Sequence, residues 1–353
     1  MNYKLMNNEY IRGKWKYSNL LQKMNIQEEN FLQNSDSLKL TKQKEYGGKL
    51  FPLALKVNIS SIERGCNWLS QNAGMIQQEV SNHGAILLRG LPLATPKNFD
   101  VIVKSLDFPN FTYENSLSNA VRVVHTPRVF SANEAPPETT IFLHHEMAQT
   151  PLFPSKLFFF CQKAAEKGGS TPICRSDHLW ELIQEELPEF SVNCRERGLK
   201  YTNVMPAEAD LKSGMGRTWQ STLSAASTKE AEMRLNNLGY TWEWLNGNEL
   251  KVTTPVLPAI RELSDGRYSF FNQLIAAFKG WKDARNDPSK SITFGDGSII
   301  NPYDISKISD LADAITFDLQ WEDGDLAIID NFLCMHGRRS YTGTRKVLAS
   351  LVA

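Results

Sequence analysis

The sequence predicts a mainly β domain, a jelly-roll-type double sheet with helices outside it, and three observations carry that expectation. From residue 141 onward the chain breaks into short apolar segments of strand length, among them Ile141–Glu146, Lys156–Gln162 and Leu326–Asp330. Two hairpin signals stand between such segments. Asn246-Gly247 separates Tyr240–Leu245 from Glu249–Thr254, and Asp265-Gly266 precedes Tyr268–Phe271. Stretches with helical spacing are few, and no internal repeat is present.

In chain order, residues 1–48 are polar, rich in Asn, Gln and Lys, and predict an N-terminal arm with some helix, peripheral to the chemistry. The domain itself is expected over 49–353. Residues 59–82 carry helical spacing (Ile62, Trp68, Leu69, Met75, Ile76, Val80) and meet Asn82-His83-Gly84, a helix stop. Ala85–Leu88 follows as a buried strand closed by Arg89-Gly90. Lys167-Gly168-Gly169 is a turn, and Ser176–Glu186 is a helix with Ser176 as its cap. Residues 279–318 form a long connection with a helix near Asp304–Ile315, after which Asp323-Gly324-Asp325 turns into Leu326–Asp330 and Arg345–Val352 ends the run. Segments around 200–235 and 279–300 are expected as an insertion forming a mobile lid, because Met205–Glu208 and Lys212–Gly216 are turn-rich.

Composition narrows the partners. The 353 residues are 22% charged and 41% hydrophobic, an ordinary globular balance. Lys+Arg and Asp+Glu are both 39, whereas a nucleic-acid or membrane-surface partner would leave a basic excess, so neither is expected. Five widely spaced cysteines without a Cys-x-x-Cys pair fit reduced thiols in a cytoplasmic protein better than a disulfide framework or a zinc ribbon. No apolar run reaches the length of a signal peptide core or a membrane span.

The chemistry centres on His144-His145-Glu146 and on His336, 190 residues beyond Glu146. Side chains two apart on a strand share a face, so His144 and Glu146 would project together while His145 points away. Two imidazoles and one carboxylate on one face of an octahedron suit non-haem iron(II) and leave three positions open. A His-x-Glu pair with a later histidine is too common to decide the matter alone. The other histidines, His83, His125 and His178, read as structural or exposed, and Cys334 as a small buried residue.

The surroundings decide more. Phe142 to Met147, then Pro154 and Phe158 to Cys161, resemble the first metal motif of the taurine dioxygenase and clavaminate synthase-like superfamily. Lys167-Gly168-Gly169-Ser170-Thr171-Pro172 resembles its next motif, and Phe270 to Gln273, Phe294 to Gly297, and Gly324 through Leu348 continue it in order over roughly 83–352. Within that superfamily the details are most similar to the syringomycin-type branch, which hydroxylates amino acids in peptide natural-product pathways.

The resemblance implies a double-stranded β-helix core, with Fe(II) held by His144, Glu146 and His336. It also implies that Thr171 and Arg345 bind the distal carboxylate of 2-oxoglutarate, with O2 as the oxidant. A planar guanidinium suits a bidentate carboxylate pair. Arg345 is preferred to its neighbour Lys346, which a one-residue slip would favour. Nine extended residues would carry Arg345 about 30 Å from His336. A turn is therefore required; Gly337 and Gly343 are available for it, and the last strand would return alongside His336. Asn272 leans towards the substrate pocket, and Arg338 with Arg339 is either a solvated loop pair or a partner of a substrate carboxylate. The expected reaction is hydroxylation of an unactivated C–H bond in a small molecule, an amino acid either free or tethered to a carrier protein. Desaturation or cyclisation on the same site, a zinc-dependent hydrolase and a non-catalytic metal-binding protein are the alternatives. Halogenation is disfavoured because Glu146 is present.

Overall fold

The computed structural model describes residues 32, 34–113, 116–118, 120–210, 216–280, 285, 287 and 291–353. Most of the expected N-terminal arm (1–31 and 33), residues 211–215 of the expected lid, and parts of 281–290 lie outside the described residues.

Among the described residues the strands form one sheet of seven and two of four, with short two-stranded pairs beside them. The larger sheet runs Ser35–Ser37, Leu53–Val57, Ala85–Arg89, Leu326–Asp330, Lys156–Lys163, Lys346–Val352, Phe130–Ser131. The sheet facing it runs Phe317–Leu319, Thr171–Arg175, Cys334–Arg338, Ile141–His144. All its pairings are antiparallel, as expected of a jelly roll.

Strand alternation explains why the continuous apolar run Leu157 to Cys161 stays in place. Leu157, Phe159 and Cys161 face inward and pack with Ile173, Phe317, Leu319 and Cys334 of the opposite sheet. Phe158 and Phe160 face outward and pack under helices Ile62–Gln71, Ala73–His83 and Pro96–Lys104, through Trp68, Leu69, Ile76 and Phe99. Both faces of the strand are therefore buried, at about 1.5–3 kcal/mol per large apolar side chain. The far face of the smaller sheet is covered in turn: Leu143, Cys174 and Met335 pack with Trp180, Phe270, Leu274 and Ile308.

Several expectations change. Helices are more numerous than the sequence suggested, because short ones such as Pro188–Arg197 and Thr228–Asn237 add to the packing with only a few buried side chains, Phe190 and Cys194 in the first and Ala231 and Leu235 in the second. Residues 34–48 are not helical; Ser35–Ser37 joins the edge of the larger sheet, and Lys44–Tyr46 pairs with Lys49–Phe51. Ser176 does not cap its helix: Arg175 precedes the helix without a side-chain cap, and Ser176 Oγ donates to the Leu333 carbonyl at 2.9 Å. The described part of 200–235 combines regular elements with irregular stretches at 206–210, 216–218 and 224–227. Leu199–Met205 pairs with Leu250–Thr253 and Ile292–Phe294, and two helices pack over it through Trp219, Leu223 and Leu235. No helix among the described residues is long and apolar enough to cross a membrane, and none of the five cysteines is disulfide-bonded.

Candidate active site

His144 and His336 stand directly opposite each other on neighbouring strands, their rings 4.4 Å apart. Close approach of these strands depends on Gly337, where a Cβ would come within 2.4 Å of the Ile141 carbonyl oxygen. Gly337 therefore serves the strand and makes no turn.

Glu146 reaches the same spot by a different route from the one expected. The strand ends at His144, and the chain bends through a turn in which Met147 takes a left-handed φ of 60°. Such a conformation costs a non-glycine residue roughly 1–2 kcal/mol, and buried Asn331 holds the bend together. Its Oδ1 accepts from Glu146 N at 2.8 Å, and its Nδ2 donates to the carbonyls of Glu146 at 3.0 Å and Pro154 at 2.8 Å. His145 does not point to solvent. It is fully buried, its Nδ1–H donates to the Asn331 carbonyl, and burial pushes its pKa down to about 3, so it stays neutral.

The donor set fits a divalent metal. The potential ligand atoms of His144, Glu146 and His336 all lie within 4.8 Å of one another, and among the described residues they form the only such group of three. His144 Nδ1–H donates to the Phe142 carbonyl at 2.7 Å, leaving the Nε2 lone pair free to face the site. Burial keeps His336 neutral, with its pKa well below the ordinary range. Glu146 is the opposite case: burial opposes its ionisation, but Arg122 and the two imidazoles outweigh that and hold its carboxyl well below the usual carboxylate range.

These residues line a cavity of about 710 Å³, within the range of small-molecule sites. Thr171 and Arg345 line it too. Arg345 Nε donates to the Gly169 carbonyl at 2.8 Å, and Nη2 lies 3.4 Å from Thr171 Oγ1. Gly169, at φ 71°, leaves room for that side chain, since a Cβ there would sit 3.0 Å from Arg345 Cδ. Trp321 Nε1 also donates to Thr171 Oγ1, at 3.0 Å. With Trp321 and Arg345 as donors to that oxygen, the threonine proton remains for an acceptor in the cavity. Burial, then the neighbouring Arg338, lower the Arg345 pKa to about 10, and among the described residues no carboxylate is ion-paired with it. Lys346 is exposed and pairs in the larger sheet with Lys163. The last strand thus crosses to the facing sheet and does not return alongside His336; Gly343, at φ 78°, lies just before the crossing.

The two expected substrate residues differ in place. Asn272 is fully buried and is not on the cavity wall: its Nδ2 donates to the Ala259 carbonyl and its Oδ1 accepts from Leu274 N. Its neighbour Gln273 lines the cavity instead. Arg338 does line the cavity, but it is neither solvated nor open to a carboxylate on its Nη atoms. These donate to the carbonyls of Ala135, Pro136 and Thr139 and so pin the loop that forms one wall. The functional residue that sequence reasoning missed is Arg122. Its signal was a lone cation in the apolar run Ala120-Val121-Arg122-Val123-Val124, which implies a buried partner.

Comparison with known proteins fixes the family. The model described as taurine catabolism dioxygenase TauD, TfdA family, matches residues 51–351. A clavaminate synthase-like protein of Arabidopsis thaliana is 35% identical over 320 residues, 88% of this chain and 96% of that protein. The dapdiamide synthesis protein DdaC of Enterobacter agglomerans is 26% identical over 293 residues, 78% of this chain and 84% of that protein. Among solved structures, AAD-2 in complex with Mn(II) and N-oxalylglycine has a similar fold, with a TM-score of 0.50 at 11% identity over 90% of this chain and 97% of that one. The chain belongs to the TauD/TfdA family, and it is a dioxygenase that uses Fe(II), 2-oxoglutarate and O2. Membership sets aside the zinc-hydrolase and non-catalytic alternatives.

Proposed function

We propose that this member of the TauD/TfdA dioxygenase family hydroxylates an unactivated C–H bond of an amino acid or amino-acid-like molecule in a biosynthetic pathway. His144, Glu146 and His336 would hold Fe(II), and Thr171 with Arg345 would seat the distal carboxylate of 2-oxoglutarate. The observation that carries this is the half-buried Arg345 guanidinium, which donates to neutral oxygens, has no carboxylate paired with it among the described residues, and shares a cavity with the three potential ligands.

When bound, Fe(II) with 2-oxoglutarate and O2 supplies the oxidising power, releasing succinate and CO2. The chain does the rest. His144 is oriented by the Phe142 carbonyl and Glu146 by Asn331, so the donor atoms are fixed before the metal arrives. Arg345 and the Thr171 hydroxyl place the dicarboxylate by a charged pair and a hydrogen bond. Phe159 and Val347 give the wall near them an apolar surface that limits water, while Gln149, Gln273 and Asn133 offer hydrogen bonds to a polar substrate. The dapdiamide-synthesis relative supports the biosynthetic, amino-acid side of the proposal.

The test is anaerobic loading with Fe(II) and 2-oxoglutarate, then O2, with a panel of amino acids offered free and as carrier-protein thioesters. Mass spectrometry should find one substrate gaining one oxygen atom, with one succinate per product, and His336→Ala should form neither. Loss of two hydrogens would point to desaturation or cyclisation, and full turnover by His336→Ala would reject the ligand assignment.

A further inference from the structure

The carboxylate of Glu146 has two oxygens with different neighbours. Oε2 faces Nε2 of His144 at 3.8 Å and Nε2 of His336 at 3.6 Å. Oε1 accepts a hydrogen bond from Nη2 of Arg122 at 3.1 Å. That arginine is itself tied down. Its side chain is 9% exposed, Nη1 donates to the carbonyls of Ser131 and Ala132, and its guanidinium lies 5.5 Å over the Phe130 ring. The hairpin carrying it is closed by Val123 N to Ser131 Oγ and Ser131 N to the Val123 carbonyl, both 2.9 Å. Asn331 grips the Glu146 backbone from another side. The carboxylate cannot rotate without giving up a charge-assisted hydrogen bond in a buried place.

Resting on the metal-site proposal above, we propose that Arg122 is a positioning residue that keeps Glu146 a one-oxygen metal ligand through Oε2. A carboxylate can offer a metal one oxygen or two. Two-oxygen binding would occupy one of the positions that two histidines and a carboxylate leave for co-substrate and oxygen. Arg122 occupies Oε1 and so closes that mode. It also draws some electron density from the ligand, which weakens the bond, but it holds the group in position before the metal arrives. Partners of this kind usually favour binding on balance: their loss typically lowers metal affinity about 10–100-fold.

The experiment titrates Co(II) into the metal-free full chain and follows its visible spectrum, with a thermal melt on each variant. Arg122→Met should weaken Co(II) binding about 10–100-fold and change the spectrum, because the freed carboxylate can chelate. Arg122→Lys should fall between, since an ammonium restores the charge at Oε1 but cannot also hold both carbonyls. A merely structural arginine would lower the melting temperature and leave the spectrum alone. Arg122→Gln, which keeps a donor for the hairpin carbonyls without the charge, carries the same expectation should Arg122→Met not fold. Wild-type affinity and spectrum in a folded neutral variant would overturn the proposal. His336→Ala runs alongside: if it binds Co(II) as the wild type does, the metal-site proposal fails and takes this one with it.

Discussion

One strand, Thr171–Arg175, has a guanidinium at each end, buried Arg175 at one and half-buried Arg345 at the other, and the two are in opposite states. At the far end, Arg175 makes a bidentate pair with Asp177, Nε to Oδ1 at 2.9 Å and Nη2 to Oδ2 at 2.7 Å, and lies over the Tyr46 ring. Burial works against its charge, yet Asp177 outweighs burial and the pKa rises. At the near end, Arg345 donates to neutral oxygens of Gly169 and Thr171 and lies over the Tyr341 ring, with no carboxylate ion-paired to it among the described residues, and burial lowers its pKa to about 10. The first pair is complete within the chain. The second has no ion-pair partner among the described residues, as the proposed anchor of a carboxylate would.

Removing each arginine should therefore damage different things. The largest effect on folding is expected for Arg175→Ala, which takes the bidentate partner from buried Asp177 and leaves it the half-exposed Arg267 as its remaining arginine. Breaking a buried pair outright costs about 3–5 kcal/mol; with Arg267 still on Asp177 the loss should fall below that, read as a lowered urea midpoint with an unchanged 2-oxoglutarate requirement in the folded fraction. A normal midpoint would mean that the far end is not the closed structural pair described here. Arg345→Ala should do the reverse. Its midpoint should hold or rise, while the apparent 2-oxoglutarate requirement climbs by the equivalent of about 2–5 kcal/mol, roughly 30-fold or more. Lys346→Ala should leave that requirement alone; the opposite result would move the anchor by one residue.

The smallest effect concerns acid. Burial raises the Asp177 pKa, but Arg175 outweighs it, and the net value lies below the ordinary 3.8. A depressed folded-state value contributes stability that is fully present above 3.8 and is lost as pH falls through the folded value. The gap in urea midpoint between wild type and Asp177→Asn should thus be constant near neutrality and narrow below pH 3.8. A gap that stays constant throughout would remove the ion pair from the account.

Much of the site was legible because its residues are of rare type and fixed spacing. His144, Glu146 and His336 meet, and Thr171 meets Arg345, as the motifs implied. The path of the chain between them was less legible. Alternation along a strand placed Glu146 on the right face for the wrong reason, since a turn held by Asn331 delivers it. Asn331 lies 185 residues away in sequence, and no local pattern announces such a contact. Asn272 was expected at the pocket, but it lies in a bend beyond the strand Tyr268–Ser269, where alternation no longer tells which side chain faces the cavity. Arg122 was overlooked since its partner is visible only in three dimensions.

The crossing of the last strand has a further consequence. The imidazoles stand on one leaf of the sandwich, whereas Arg345 sits at the lip of the other. The interior side chains between the leaves would therefore act as a spacer that sets the reach from the proposed metal site to the proposed co-substrate anchor. Phe159 is the central shim. It lies in the larger sheet opposite Ala349, lines the cavity, and holds its ring 5.3 Å from that of His336. A sequence that drifted at this position would recalibrate the span between the two anchors without altering either one.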